Sequence, residues 1–330
     1  MIAMNSMRCS VAGRFSQELV VAGLAVALAL VFAAAIPGFA TWGNAMALLR
    51  SIAIIGVLAL GMSVVIIGGG IDLSQIAVAL VSAGVAAIMI NGGFPVSIAL
   101  LVGLFAAIGM GLANGWFVAY LGIPSLFATL ASALLFMGAA RSTLMPSTII
   151  NLPPGDGAFL VLGTNWAGVP VPALIFAVSA VVMHLFLAHL VVGRFVYAVG
   201  DNPATARLSG LPVRRLRMMT FVMAAVIGYL GGLVMVASTA MVDLGTAKST
   251  FIFDVVLVAV AGGVSLSGAR GGVASVLAGT AFVGVLLNGM SILDVNSQVQ
   301  TVIKGSLLLA AIVLDSQLRP HDEEAERHSI

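Results

Sequence analysis

The chain has 330 residues, of which 61% are hydrophobic and 8% charged, and it carries a formal net charge of +2. Soluble domains carry about 25% charged residues, so this composition, with a mean hydropathy of +1.18, excludes that class and indicates a polytopic membrane protein. The small positive balance leaves no footprint for a nucleic-acid partner, because basic residues at loops and span ends are accounted for by orientation in a bilayer.

A helix needs about 20 apolar residues to cross the hydrocarbon core. That length predicts ten spans, at 19–36, 48–68, 73–91, 95–118, 124–144, 170–192, 217–240, 252–267, 273–290 and 298–315. The apolar stretches are continuous and do not alternate with period two, which argues against a β-barrel. The expected fold is therefore all-α, a polytopic helical bundle of about ten transmembrane helices with some broken or short segments. The 38 glycines suit helices that approach closely in lipid. The expected organisation is an N-terminal segment over 1–18, a transmembrane domain over 19–316 and a polar tail over 317–330.

The first predicted span follows Arg8 and Arg14 and ends near Ala33-Ala34-Ala35, a pattern that also fits a cleaved signal peptide. Its apolar run is long for a signal core, so an uncleaved first helix is the preferred reading. Cys9, the single cysteine, has no intrachain partner for a disulfide.

Two glycine-rich segments interrupt the helical pattern. Gly68-Gly69-Gly70-Ile71-Asp72-Leu73-Ser74 and Gly262-Gly263-Val264-Ser265-Leu266-Ser267-Gly268 align as GG-I-DLS and GG-V-SLS. Corresponding breaks in two halves of a transporter point to its path. Asp72 is the acid closest to an embedded position, and two readings stay open for it. It either caps a helix start, where its charge favours the dipole, or lines the path. Asp254 reads as a cap at the start of the eighth span. Lys304, between Ile303 and Gly305 in the tenth, either snorkels to an interface or pairs with an acid.

The longest external segment, 145–169, has no Lys or Arg and carries Trp166 for the headgroup region. It is either a solvated connector or a surface for an external partner. His184 and His189 are five apart, off the spacing that puts two ligands on one helix face, so no metal site is expected. Ala247-Lys248-Ser249-Thr250 lacks the glycines and the preceding strand of a phosphate-binding loop.

Between the sixth and seventh spans lies a polar, turn-rich island, 200–217, which holds four of the fourteen Lys and Arg residues. The positive-inside rule places it in the cytoplasm. Six spans precede it and four follow, so parity puts both termini on that side. With no nucleotide site and Asp72 as the one candidate for a coupling acid, energy for transport is expected from a partner; an ion-coupled secondary transporter is the alternative.

Four stretches together resemble the permease subunits of ABC importers for sugars, the ribose, xylose, arabinose and galactoside group. Gly69 to Ser74 resembles that family's GGIDLS, and Ile123-Pro124-Ser125-Leu126-Phe127-Ala128-Thr129-Leu130 its IP-x-F-x-ATL segment. Gly200 to Val213 resembles its G-x-N-x-x-A-x-x-SGI-x-V loop. Gly262 to Gly271 resembles GGTSLSGGRG, with Val302-Ile303-Lys304-Gly305 matching VIKG. The likeness runs over about 45–316.

The resemblance implies an inner-membrane subunit that is not an enzyme. A second permease chain, a cytoplasmic ATPase that binds the ATP, and a periplasmic solute-binding protein are its implied partners, with lipid around it. The loop 194–216 would hold a coupling helix, with Gly200, Asp201, Asn202, Ala204, Arg207, Ser209 and Gly210 as the coupling residues. Asp72, Ser74, Ser265 and Ser267 are the expected path residues. The chain departs from the family at Gln75-Ile76-Ala77, at Ala131-Ser132 and at Phe136-Met137-Gly138, changes that bear on the cargo.

Overall fold

The computed structural model describes residues 17–152, 157–248 and 250–318. Arg8, Cys9 and Arg14, the turn Pro153-Pro154-Gly155-Asp156 and the tail from Arg319 lie outside the described residues.

In chain order the helices are α1 (Gln17–Ala35), α2 (Trp42–Ile67), α3 (Gln75–Asn91), α4 (Val96–Ala119) and α5 (Ser125–Thr143), followed by the short α6 (Gly157–Leu160). Then come α7 (Val171–His189), α8 (Val191–Asp201), α9 (Pro203–Leu208), α10 (Val213–Thr239), α11 (Phe251–Gly262), α12 (Val273–Ile292) and α13 (Ser297–Leu318). Eight of these are long and apolar enough to cross a membrane, and two shorter apolar helices, α3 and α11, complete the set of ten at the predicted positions. The expectation of a polytopic all-α bundle is met.

The boundaries that moved did so for local reasons. The second span begins at Trp42, because Thr41 caps it by accepting the Asn44 N–H. The eighth span stops at Gly262, five residues short of its expected end, where Gly263 turns left-handed at φ 111°. At 12 residues, α11 is about 18 Å long, well short of the roughly 30 Å hydrocarbon core.

The core lies among α2, α3, α10, α11 and α12. Small residues permit the closest approach: a Cβ at Gly111 of α4 would press on Ala225 and Val222 of α10. By contrast α1, α4, α5, α7 and α13 present large apolar side chains outward, among them Leu30, Phe105, Leu134, Val178 and Val302.

One end of the bundle carries a small lid. β1 (Ile149–Asn151) pairs antiparallel with β4 (Met241–Asp243), while β2 (Asn165–Trp166) and β3 (Val169–Pro170) form a hairpin. Phe159, Met145 and Leu152 are buried, so the described parts of 145–169 pack onto the protein and are not a wholly solvated connector. Trp166 stays exposed. At the opposite end the expected loop 194–216 is largely helical, made of α8, α9 and the first turn of α10.

Candidate functional site

α9 is a six-residue helix whose two ends are closed by its own sequence. Asn202 Oδ1 accepts the Ala204 and Thr205 N–H groups, both at 2.9 Å, and Pro203 follows at the first helical position, where its missing N–H costs nothing. At the other end the Gly210 N–H reaches the Arg207 carbonyl and the Leu211 N–H the Ala206 carbonyl, both at 3.0 Å. This is the Schellman arrangement, and it needs the positive φ of 81° that Gly210 supplies. Ser209 Oγ donates back to the Thr205 carbonyl.

With its ends capped, α9 buries Ala206 and leaves Asp201, Asn202, Ala204, Arg207 and Ser209 exposed. Leu208 is 90% exposed, an apolar side chain with no cover at the tip of a polar, capped helix. Sequence reasoning passed over this residue; its signal was a leucine inside a basic island.

Gly200 fastens this unit to the bundle. It is buried, and a Cβ there would overlap the Ile67 carbonyl at the end of α2 and lie 2.9 Å from the Ala269 nitrogen. A Cβ at Gly268, which has φ 89°, would lie 2.7 Å from the Gly200 carbonyl oxygen. The Ala269 N–H donates to the Ile67 carbonyl at 2.9 Å. Thus the two glycine-rich breaks, almost 200 positions apart in sequence, meet each other and the base of α8 at one backbone junction. Tyr197 of α8 donates its hydroxyl to the Gly271 carbonyl at 2.8 Å, and burial raises the pKa of that phenol, so it stays a neutral donor.

Each break carries a buried carboxylate. In the first, Asp72 is 1% exposed and its Oδ1 accepts both the N–H and the hydroxyl of Ser74. Ser74, two residues on, is the residue that precedes α3. Asp72 therefore shapes the turn leading into the helix, which is the capping reading displaced by two residues. The chain of donors continues inward: Asn114 Nδ2 donates to Ser74 Oγ at 2.6 Å, and Ser132 Oγ donates to Asn114 Oδ1. The backbone of the break is held as well, because Ser125 Oγ accepts the Ile71 N–H and Thr129 Oγ1 the Leu73 N–H. The IP-x-F-x-ATL-like segment thus docks on the GGIDLS-like one.

In the second break the carboxylate comes from another helix. Ser265 Oγ donates to Asp315 Oδ2 of α13 at 2.8 Å and lies 2.7 Å from Ser267 Oγ. The Leu266 N–H points at the same Asp315 oxygen. Position 265 aligns with Asp72 in the internal repeat, so α13 supplies the acid that this half of the repeat lacks.

Near the lidded end, Asp254 differs from its expected role. Thr250 precedes α11, and the Asp254 carboxylate instead takes Lys304 Nζ of α13 at 2.9 Å. The acid-pairing reading of Lys304 holds. A charge placed this deep is costly unless it is paired, and that cost favours the contact over capping. The rings of His184 and His189 sit edge to face, 5.7 Å apart.

Of the residues expected to couple, the structure brings Gly200 against both breaks and leaves Asp201, Asn202, Ala204, Arg207, Ser209 and Gly210 exposed beyond it; of those expected on the path, Asp72 and Ser74 bond each other in the first break and Ser265 and Ser267 lie together in the second. Sequence reasoning missed Asn114 and Asp315, and met Ser132 only as a departure from the family pattern. Asn114 is a lone polar group in an apolar stretch, the signal that marks an intramembrane residue for scrutiny.

A bundle of apolar helices with two broken segments tied to a capped, basic helix at one end defines a multi-pass membrane transport protein. The chain belongs to the family described as branched-chain amino acid transport system / permease component, which matches residues 44–312. It is similar to the ribose import permease protein RbsC of Bacillus subtilis, 34% identical over 280 residues that cover 84% of this chain and 86% of that protein. It is also similar to the probable ABC transporter permease protein YphD of Escherichia coli, 32% identical with 92% of each chain covered. The L-arabinose transport system permease protein AraH of Escherichia coli is 30% identical, with 89% of each covered. No solved structure gives a significant match. The resemblance to sugar ABC importer permeases is borne out, and the chain is a permease of an ABC transporter.

Proposed function

We propose that this chain is the membrane subunit of an importer for a sugar or sugar-like polyol, working with a second permease chain, a cytoplasmic ATPase and a periplasmic solute-binding protein. The names of the ribose and arabinose relatives support the cargo class. In this reading the α9 end faces the cytoplasm, as do both termini in the inner membrane, and the lidded end receives the binding protein. ATP is bound by the partner, and this chain holds no cofactor.

The observation that carries the reading is α9 itself, a self-capped helix with Leu208 bare at its tip and its base fixed on both breaks through Gly200. A short helix with one uncovered apolar anchor suits a groove on a partner. Closure of the ATPases on ATP displaces α9. Because Gly200 touches Ile67 and Ala269 directly, the displacement reaches the end of α2 and the end of the second break without slack. The helices then move as packed bodies to open the path alternately to either side. Gly200, Asp201, Asn202, Ala204, Arg207, Ser209 and Gly210 form the coupling unit. Asp72, Ser74, Ser265 and Ser267 shape the inner end of the path, and substrate choice rests chiefly with the binding protein, since hydrogen bonds within the protein already occupy those side chains.

The test is uptake of a labelled sugar panel into vesicles containing this chain, with and without its ATPase, binding protein and ATP. Uptake that needs every component supports the reading. Uptake by this chain alone, collapsed by an ionophore, establishes an ion-coupled transporter instead.

A further inference from the structure

Arg207 of α9 and Arg214 and Arg215 of α10 line one surface cleft of about 530 Å³ with Tyr120, Pro212 and Val213. The Arg214 guanidinium stands 5.9 Å from the centre of the Tyr120 ring. One turn further along α10, Arg217 lines a second cavity of about 300 Å³ with Gly68, Gly69, Gly70, Ser125 and Thr220. Among the described residues none of these four arginines has a carboxylate within ion-pair distance.

Orientation in a membrane asks only for cations at one end. It does not ask that they converge on a single cleft. Arg194 and Arg270 are exposed at the same end and line neither cavity, so convergence is particular to Arg207, Arg214 and Arg215. Beside the cleft the surface turns apolar: Leu121, Ile123 and Phe127 on the α4–α5 turn and α5 are exposed.

We propose that this cleft binds the phosphate headgroup of an anionic phospholipid. The guanidinium forks of Arg214 and Arg215 match phosphate oxygens in pairs. Tyr120 lies at the mouth, between the charged and apolar zones, as aromatic residues do at a membrane interface. The acyl chains run over Leu121 and Phe127. Basic pockets at the ends of membrane helices select anionic headgroups in this manner. A carboxylate-bearing protein partner satisfies the arginines but leaves the adjoining apolar strip uncovered, whereas a phospholipid matches both.

The experiment is titration of the purified full-length chain with phosphatidylglycerol and, separately, phosphatidylcholine of the same acyl chains, read by native mass spectrometry. Phosphatidylglycerol binds about tenfold more tightly to the wild type. The double variant Arg214→Gln/Arg215→Gln loses that preference, and Arg194→Gln/Arg270→Gln keeps it. Equal binding of the two lipids by the wild type overturns the proposal without any variant, so a variant that fails to fold leaves the test intact. Equal losses in both double variants reduce the effect to general charge and overturn it. Displacement of the lipid by millimolar inorganic phosphate assigns the cleft to a free anion. An Arg214→Gln/Arg215→Gln protein that loses ATPase capture while holding phosphatidylglycerol assigns the cleft to the partner protein; both outcomes also overturn it.

Discussion

Replacing Gly200 with alanine adds one carbon atom at the point where three backbones meet. That atom would overlap the Ile67 carbonyl and lie 2.9 Å from the Ala269 nitrogen. Both neighbours are main chain and cannot swing aside as a flexible side chain would. Overpacking of this kind costs about 1–3 kcal/mol, and loss of the Ala269-to-Ile67 hydrogen bond costs about 1 kcal/mol more. Alanine in place of glycine near the end of α8 returns roughly 1 kcal/mol of helix propensity. The net penalty of about 1–3 kcal/mol falls on the junction and spares α9, whose caps lie at 202 and 210. ATP-driven uptake in the reconstituted importer should therefore fall by roughly 5-fold to 140-fold, since each 1.4 kcal/mol is one factor of ten, while the ATPase still copurifies. Gly109→Ala in α4 is the control, because a Cβ there meets nothing within 4 Å, and it should transport as wild type. A Gly200→Ala importer with wild-type uptake would refute the reasoning that this contact transmits the motion.

Asn114→Leu cuts the donor chain between Ser74 and Ser132 and leaves their buried hydroxyls short of partners. It should destabilise the chain by about 1–3 kcal/mol, seen as a lower temperature for loss of the monodisperse peak after heating in detergent. Lys304→Met leaves Asp254 charged and alone at a cost of about 3–5 kcal/mol. The double variant Lys304→Met/Asp254→Leu should recover most of the loss, a non-additivity that a double-mutant cycle on the same heating assay measures. Asn202→Ala removes the cap of α9 and costs that helix about 1 kcal/mol. ATPase capture in mild detergent should weaken while the chain's own thermal stability changes little. Gly210→Arg should damage transport far more than Asp72→Asn, because the first forces a Cβ and a long, charged side chain into left-handed backbone whereas the second keeps the oxygen that accepts from Ser74.

The spans were legible because a bilayer imposes a length. Ten apolar runs near 20 residues gave ten helices, and the errors fell where a local cap or a left-handed glycine set the end, as at Thr41 and Gly263. α9 was expected only from the family resemblance, although Asn202, Pro203 and Gly210, which bound it, act on their immediate neighbours and leave a signal in adjacent letters. Contacts between distant segments were not legible. Nothing in the letters says that Ala269 bonds Ile67, that Ser125 holds Ile71, or that the acid absent from the second repeat arrives from α13 as Asp315. Asp254 shows the same limit, since a helix-start aspartate invites a cap and only the position of Lys304 across the bundle shows otherwise.

The most direct test of the account is whether α9 enters a groove on the partner ATPase. A Leu208→Cys chain in a Cys9→Ser background, assembled with its ATPase and treated with a short bifunctional crosslinker, reports that contact. The account predicts a permease–ATPase crosslink in good yield from position 208, with its yield changed by ATP, and little from a cysteine placed at Trp166 on the lidded end. Equal crosslinking from both positions, or none from 208 in a complex that transports, would contradict it.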